Sequence, residues 1–239
     1  VAWMRRPDPN LPHLLAIAQA LGDLREQVVF IGGSTAGLLL TDPLAEGVRP
    51  TLDVDAVVEA HDLIHFYRIE AQLEQRGFMR DADSGVICRW KHKPSGVVFD
   101  LMPVDAAVLG FSNRWYGEAV ATAQPLQLAD GVVIRIVAAP AFVATKLEAF
   151  LSRGKGDFLV SHDLEDVLNI VDGRDELMDE LQAASMQLQG FVAETFAGLL
   201  VKSDFINSLP GLVADADRAG VVRERLEQMA KLRTPEQRN

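Results

Sequence analysis

Apolar positions recur at helical spacing from Leu11 to Leu24 and then give way to the unbroken run Val28-Val29-Phe30-Ile31, which ends at Gly32-Gly33. That change of period predicts a helix leading into a short buried strand. Ser34 to Leu40 reads as a short helix stopped by Thr41-Asp42-Pro43. Thr51 to Glu59 runs apolar apart from Asp53 and Asp55, as a buried strand broken by two carboxylates does. Leu63, Phe66, Tyr67, Ile69 and Leu73 mark one face of a helix over 62–76, closed by Gly77. Val86 to Lys93 and Val97 to Val104 flank Pro94-Ser95-Gly96 and predict an antiparallel hairpin. Val132 to Val137 predicts one more strand.

After Pro140 the pattern is helical throughout, over 141–151, 163–171, 176–188, 191–200 and 221–232. The chain therefore divides into an N-terminal part mixing helices and strands, residues 1–137, and a helical C-terminal part, residues 138–239. It carries neither an internal repeat nor a low-complexity tract.

Composition narrows the function classes. At 239 residues the chain has room for one large domain or two small ones. No apolar run approaches the roughly 20 residues of a membrane helix, and Val1 to Asn10 lacks the apolar centre of a signal peptide. The expectation is a soluble, cytoplasmic protein with no membrane partner. The single cysteine, Cys88, rules out an internal disulfide and a cysteine-cluster zinc site, and reads as a buried filler. A net charge of −11 argues against sequence-blind nucleic-acid binding over the whole surface, which needs Lys and Arg against phosphate.

The chemistry gathers on carboxylates. Residues two apart on a strand face the same way, so Asp53 and Asp55 address one point in space. The same spacing at Asp81/Asp83 and Asp215/Asp217 lies among Gly and Ala neighbours and reads as turns or helix ends. Asp100, inside the apolar run Val97 to Val104, is costly on a strand unless it is paired or binds metal. If the hairpin lies beside the Asp53 strand, three carboxylates converge into an all-oxygen site of the kind Mg²⁺ favours. The plain alternative is a set of ion pairs with Arg49, Arg89 or Lys91. Upstream, Gly32-Gly33-Ser34 follows a strand and opens a short helix, where backbone N–H groups and the Ser34 hydroxyl suit a phosphate. The lysine of a Walker loop and the spacing of a dinucleotide-binding motif are both missing.

Gly33-Ser34, eighteen intervening residues, Asp53-Val54-Asp55 and then Asp100 resemble the mark of the DNA polymerase β-like nucleotidyltransferase superfamily. Within it the nearer similarity is to the abortive-infection (AbiEii-type) toxins and related minimal nucleotidyltransferases. That resemblance implies an α+β fold, a short mixed β-sheet core flanked by helices and followed by a helical C-terminal region. It implies that Asp53, Asp55 and Asp100 bind Mg²⁺, with two ions expected, and that Gly32, Gly33 and Ser34 hold a nucleoside triphosphate. It adds Lys146 and the acids of Ser161-His162-Asp163-Leu164-Glu165-Asp166. On the residues alone, Lys146 either snorkels or offsets triphosphate charge. Asp163 reads as an acid serving a helix start, whereas Asp166 reads as orienting Lys146 or taking a proton. His61, His65, His92 and His162 show no metal-ligand spacing, and Ser152 to Gly156 reads as a small basic loop.

The expected function is transfer of a nucleoside monophosphate to a hydroxyl on an RNA end, a protein or a small molecule, with release of pyrophosphate. A place in toxin–antitoxin or phage-defence systems, with an antitoxin as candidate partner, goes with the resemblance. Two alternatives remain open: an inactive nucleotide-binding or antitoxin-like module, and an antibiotic-modifying nucleotidyltransferase.

Overall fold

The computed structural model describes residues 8–232 except 44, 46, 61 and 154–156. His61 and the Gly154-Lys155-Gly156 part of the basic loop lie outside the described residues. The fold is α+β, with a mixed seven-stranded sheet and a helical C-terminal region. Two compact units make up the described chain: Asp8–Thr35 with Arg49–Ala138, and Ala36–Val48 with the chain from Ala139 onward.

In the sheet unit, α1 (Leu11–Leu21) starts at Asn10 and runs through a short 3-10 turn into β1 (Val28–Ile31), all four residues of which are buried. Next comes β2 (Asp53–Val58), then α3 (Leu63–Gln75), which is capped by the Asp62 carboxylate accepting from the His65 N–H at 2.7 Å. After it come β3 (Phe78–Arg80), β4 (Arg89–His92) and β5 (Val98–Pro103). Short helices α4 (Ala106–Leu109) and α5 (Tyr116–Ala121) lead to β6 (Gln124–Ala129) and β7 (Val132–Ile136). The strand order is β3-β4-β5-β2-β1-β7-β6. Strand β2 runs antiparallel to β1 and parallel to β5, and β1 runs parallel to β7. The sheet is larger than the short one expected, because β3 and β6 extend both edges.

Burial explains the layering. Leu14, Ile17, Ala18 and Leu21 of α1, Phe66, Ile69 and Leu73 of α3, and Ala119 and Val120 of α5 are buried with Phe30, Val54, Ala56, Trp90, Phe99 and Leu101 of the strands. At about 25 cal/mol per Å² of apolar surface removed from water, these side chains supply the main drive for holding helices on the sheet. Asn10 ties the start of α1 to the approach to β2: its amide donates to the Arg49 carbonyl at 3.0 Å and accepts from the Thr51 N–H at 2.7 Å.

The helical unit begins with α2 (Ala36–Leu39) and continues with α6 (Ala139–Arg153), α7 (His162–Gly173), α8 (Leu177–Ala183), α9 (Met186–Leu200), α10 (Ser203–Leu212) and α11 (Ala219–Met229). The single helix expected over 176–188 is two, because Ser185 caps α9 by accepting from the Leu188 N–H at 3.4 Å. The segment after α2 is pinned within this unit. Thr41 and Asp42 N–H groups donate to the Gly173 carbonyl at 2.9 and 3.0 Å, and Arg218 bridges Asp42 and Asp172 at 3.0 and 2.7 Å. Gly173 permits this approach, since a Cβ there would lie 2.7 Å from Leu40 Cδ2 and 2.9 Å from Ala45 Cβ. Among the described residues no helix is long and apolar enough to cross a membrane.

Candidate active site

The site begins where β1 ends. Gly32 takes φ +73°, and the chain turns through Gly33–Thr35, closed by the Thr35 N–H and hydroxyl donating to the Gly32 carbonyl at 3.1 and 2.8 Å. Register pairs Ile31 with Asp55, so the turn rises directly beside that carboxylate. A Cβ on Gly32 would sit 2.0 Å from Asp55 Oδ2, so both the backbone angle and the close approach require glycine. Ser34 is 1% exposed, and among the described residues its hydroxyl has no hydrogen-bond partner. A buried polar atom left unsatisfied is a rarity that calls for a reason.

Strand pairing brings the three aspartates together. Asp53 and Asp55 are two apart on β2, and the parallel register sets Asp55 opposite Asp100 of β5. All three therefore share one face of the sheet. The Thr51 hydroxyl donates to the Asp53 carbonyl at 3.0 Å and steadies the start of the strand. The other two Asp-x-Asp pairs lie at 3-10 turns, with Asp215 accepting from the Asp217 N–H at 2.9 Å and Asp81 opening the turn Ala82–Ser84.

Arg89 completes the cluster. The antiparallel β4–β5 pairing sets it opposite Asp100. Its Nε donates to Asp100 Oδ1 at 2.9 Å, and its Nη2 donates to Asp100 Oδ2 at 2.7 Å and to Asp53 Oδ2 at 2.9 Å. The side chains are 25% exposed for Arg89, 34% for Asp53 and 9% for Asp100. Hydrogen bonding to Asp100 holds the Arg89 guanidinium even more firmly protonated than usual, against the opposing effect of burial. Next to it, burial and then the Asp100 and Asp55 charges push the Cys88 thiol up to about 12, so it is a neutral filler rather than a nucleophile.

Carboxylate oxygens with a hydroxyl close in sequence suit a hard divalent cation by chemistry. Geometrically, among the described residues no three acidic, cysteine or histidine side chains are set to close around one ion. Arg89 binds two of the three aspartates that would do so. Sequence reasoning considered Arg89 only as one of several possible ion-pair partners. A sharper signal was available, since folding the hairpin about Pro94–Ser95 sets residue 89 against residue 100.

Lys146 belongs to a second cluster, within the helical unit. Its ammonium lies 3.0 Å from Asp163 Oδ1 and 2.8 Å from Asp166 Oδ2, and Arg153 reaches Asp163 Oδ2 at 3.0 Å. Side-chain exposure is 12% for Lys146 and 1% for Asp166. Ser161 caps α7 by accepting from the Leu164 N–H at 3.3 Å, so Asp163 is not needed as the cap and faces the two cations instead. Burial pushes the Asp163 carboxyl up, but Lys146 and Arg153 outweigh it and hold it below its ordinary value.

Among solved structures, an antigenic nucleotidyltransferase-like protein from Paracoccidioides brasiliensis matches with a TM-score of 0.52 at 20% identity, over 87% of this chain and 94% of that one. The fold is nucleotidyltransferase-like. JHP933 from Helicobacter pylori matches at a TM-score of 0.48 and 12% identity, over 92% of this chain and 90% of that one. No protein-family model matches the sequence, and a comparison with curated proteins finds no match.

Proposed function

We propose that the chain is a Mg²⁺-dependent nucleotidyltransferase that moves a nucleoside monophosphate from a nucleoside triphosphate to a hydroxyl acceptor and releases pyrophosphate. The observation that carries this reading is the in-register placement of Asp53, Asp55 and Asp100 on one sheet face beside a glycine turn with a buried, unsatisfied Ser34 hydroxyl. Asp53, Asp55 and, once Arg89 releases it, Asp100 would hold Mg²⁺. When bound, the ion offsets phosphate charge and stabilises the leaving pyrophosphate. Gly32, Gly33 and Ser34 would receive the triphosphate through backbone N–H groups and the hydroxyl. Asp100 would also polarise the acceptor hydroxyl: its oxygen bonds to the α-phosphorus, the bond to pyrophosphate breaks, and the proton passes to the carboxylate. Lys146 is engaged by two carboxylates of its own unit, Asp163 and Asp166.

The resemblance to abortive-infection (AbiEii-type) toxins favours an RNA end or a protein hydroxyl as acceptor and an antitoxin as partner. A small hydroxylated molecule suits the acidic composition if it is cationic. The Arg89 bridge favours a second reading, a module that binds nucleotide without transfer, because it occupies oxygens that chemistry needs.

The test is incubation of the purified chain with Mg²⁺ and each α-labelled nucleoside triphosphate, in the presence of total RNA, cell protein or a panel of small molecules. Transfer by the intact chain and not by Asp53→Ala/Asp55→Ala supports the enzyme and names the acceptor class. Equal labelling by that folded variant refutes it, and nucleotide binding without labelling moves the second reading ahead.

A further inference from the structure

In the transfer chemistry above Arg89 does no more than release Asp100, yet it engages both oxygens of Asp100 and one of Asp53. A planar guanidinium forked onto a carboxylate is among the firmest grips available to a side chain. We infer that Arg89 is an internal counter-ion that takes the place of a divalent cation between Asp53 and Asp100, so that cation loading and the seated arginine exclude one another. This rests on the reading of the three aspartates as a cation site.

The Asp100 side chain is only 9% exposed, so water reaches little of it, and removing one partner of a buried ion pair is strongly destabilising. A positive group set against it is therefore strongly favoured in the folded chain. Arg89 cannot leave by losing its proton, because a guanidinium stays charged; it must move. Its side chain and that of Asp53 are more open to water than that of Asp100, so the arginine has the easier exit. The competing ion brings two positive charges where the guanidinium brings one, and it would take the same oxygens.

Mn²⁺, followed by electron paramagnetic resonance without nucleotide, is the probe. It is titrated into the full chain, Arg89→Gln, Arg89→Gln/Asp100→Asn and Asp55→Asn, with melting temperatures taken with and without the ion. The expected result is Mn²⁺ binding at least about tenfold tighter in Arg89→Gln, reversed in the double variant, because the freed Asp100 supplies the gain. Mn²⁺ should also raise the melting temperature of Arg89→Gln more than that of the unaltered chain, a readout that holds even if the variant is less stable without the ion. Binding that depends on Asp55 in both proteins but is no tighter in Arg89→Gln would overturn this inference and leave the cation site standing. A gain that survives Asp100→Asn overturns it as well. So does an Arg89→Gln chain that Mn²⁺ cannot restore to the folded state, which marks a purely structural pair. Absence of Asp55-dependent binding from both proteins removes the cation site and the inference together.

Discussion

Replacing Gly32 by alanine tests the contact between the glycine turn and Asp55. The new Cβ would stand 2.0 Å from Asp55 Oδ2, 2.8 Å from its Cγ and 2.9 Å from its Cβ. Rotating the carboxylate relieves only the first of these, and the register with Ile31 pins the aspartate backbone. Holding an L-residue at φ +73° costs about 1–2 kcal/mol, and overpacking of this kind adds about 1–3 kcal/mol. The protein carries its own control in Gly131, which has φ +72° and nothing within 4 Å of its would-be Cβ. Gly131→Ala should therefore show the backbone cost alone. Urea unfolding of the unaltered chain and the two variants measures both, and Gly32→Ala should be the more destabilised by at least about 1 kcal/mol. Equal losses in the two variants would refute the close approach.

Lys146→Met removes the cation from between Asp163 and Asp166 while keeping an unbranched side chain, and stability should fall by about 3–5 kcal/mol because one partner of a buried ion pair is lost; a loss below about 1 kcal/mol in urea unfolding would contradict the buried pairing. Asp163 titrates below its ordinary value of 3.8 in the folded chain, since Lys146 and Arg153 outweigh burial. Its contribution is therefore complete above that value and is lost as the pH falls through the lower folded one. Asp163→Asn should be less stable than the unaltered chain near neutrality, with the gap closing below pH 3.8; a gap that stays constant into acid would refute the assignment.

Much of this geometry is written in short-range pattern. Period-two spacing sets Asp53 and Asp55 on one face, and the Pro94-Ser95-Gly96 turn pairs β4 with β5. Helix α3 announces itself by Asp62 at its start and by one apolar stripe. The edge strands were not legible. Strand β3 has one buried residue among three, and β6 has none and contains Pro125, which an edge strand tolerates because one side of its ladder is unpaired. Helix α10 was missed because Pro210 lies inside it, where proline usually ends a helix. Arg89 was legible as a charge near Asp100 but not as a fork across two aspartates, because that arrangement depends on β2 lying parallel to β5, a long-range pairing. Lys146 and Asp166 are twenty residues apart and meet only through the packing of α6 on α7.

The segment Ala36–Val48 has a consequence for how the chain is made. It leaves the sheet unit after β1 and returns before β2, although those two strands are hydrogen-bonded neighbours. Its own partners come late: the Leu39 carbonyl waits for Arg174, 135 residues further along. At about 5–20 residues per second of synthesis, that wait is on the order of 10 s. During it, β1 and β2 can already pair while the loop between them still awaits Gly173, Arg174 and Arg218. A nascent chain halted before α7 would thus carry β1 and β2 with the loop between them short of these late-made anchors, a natural target for a chaperone or a protease.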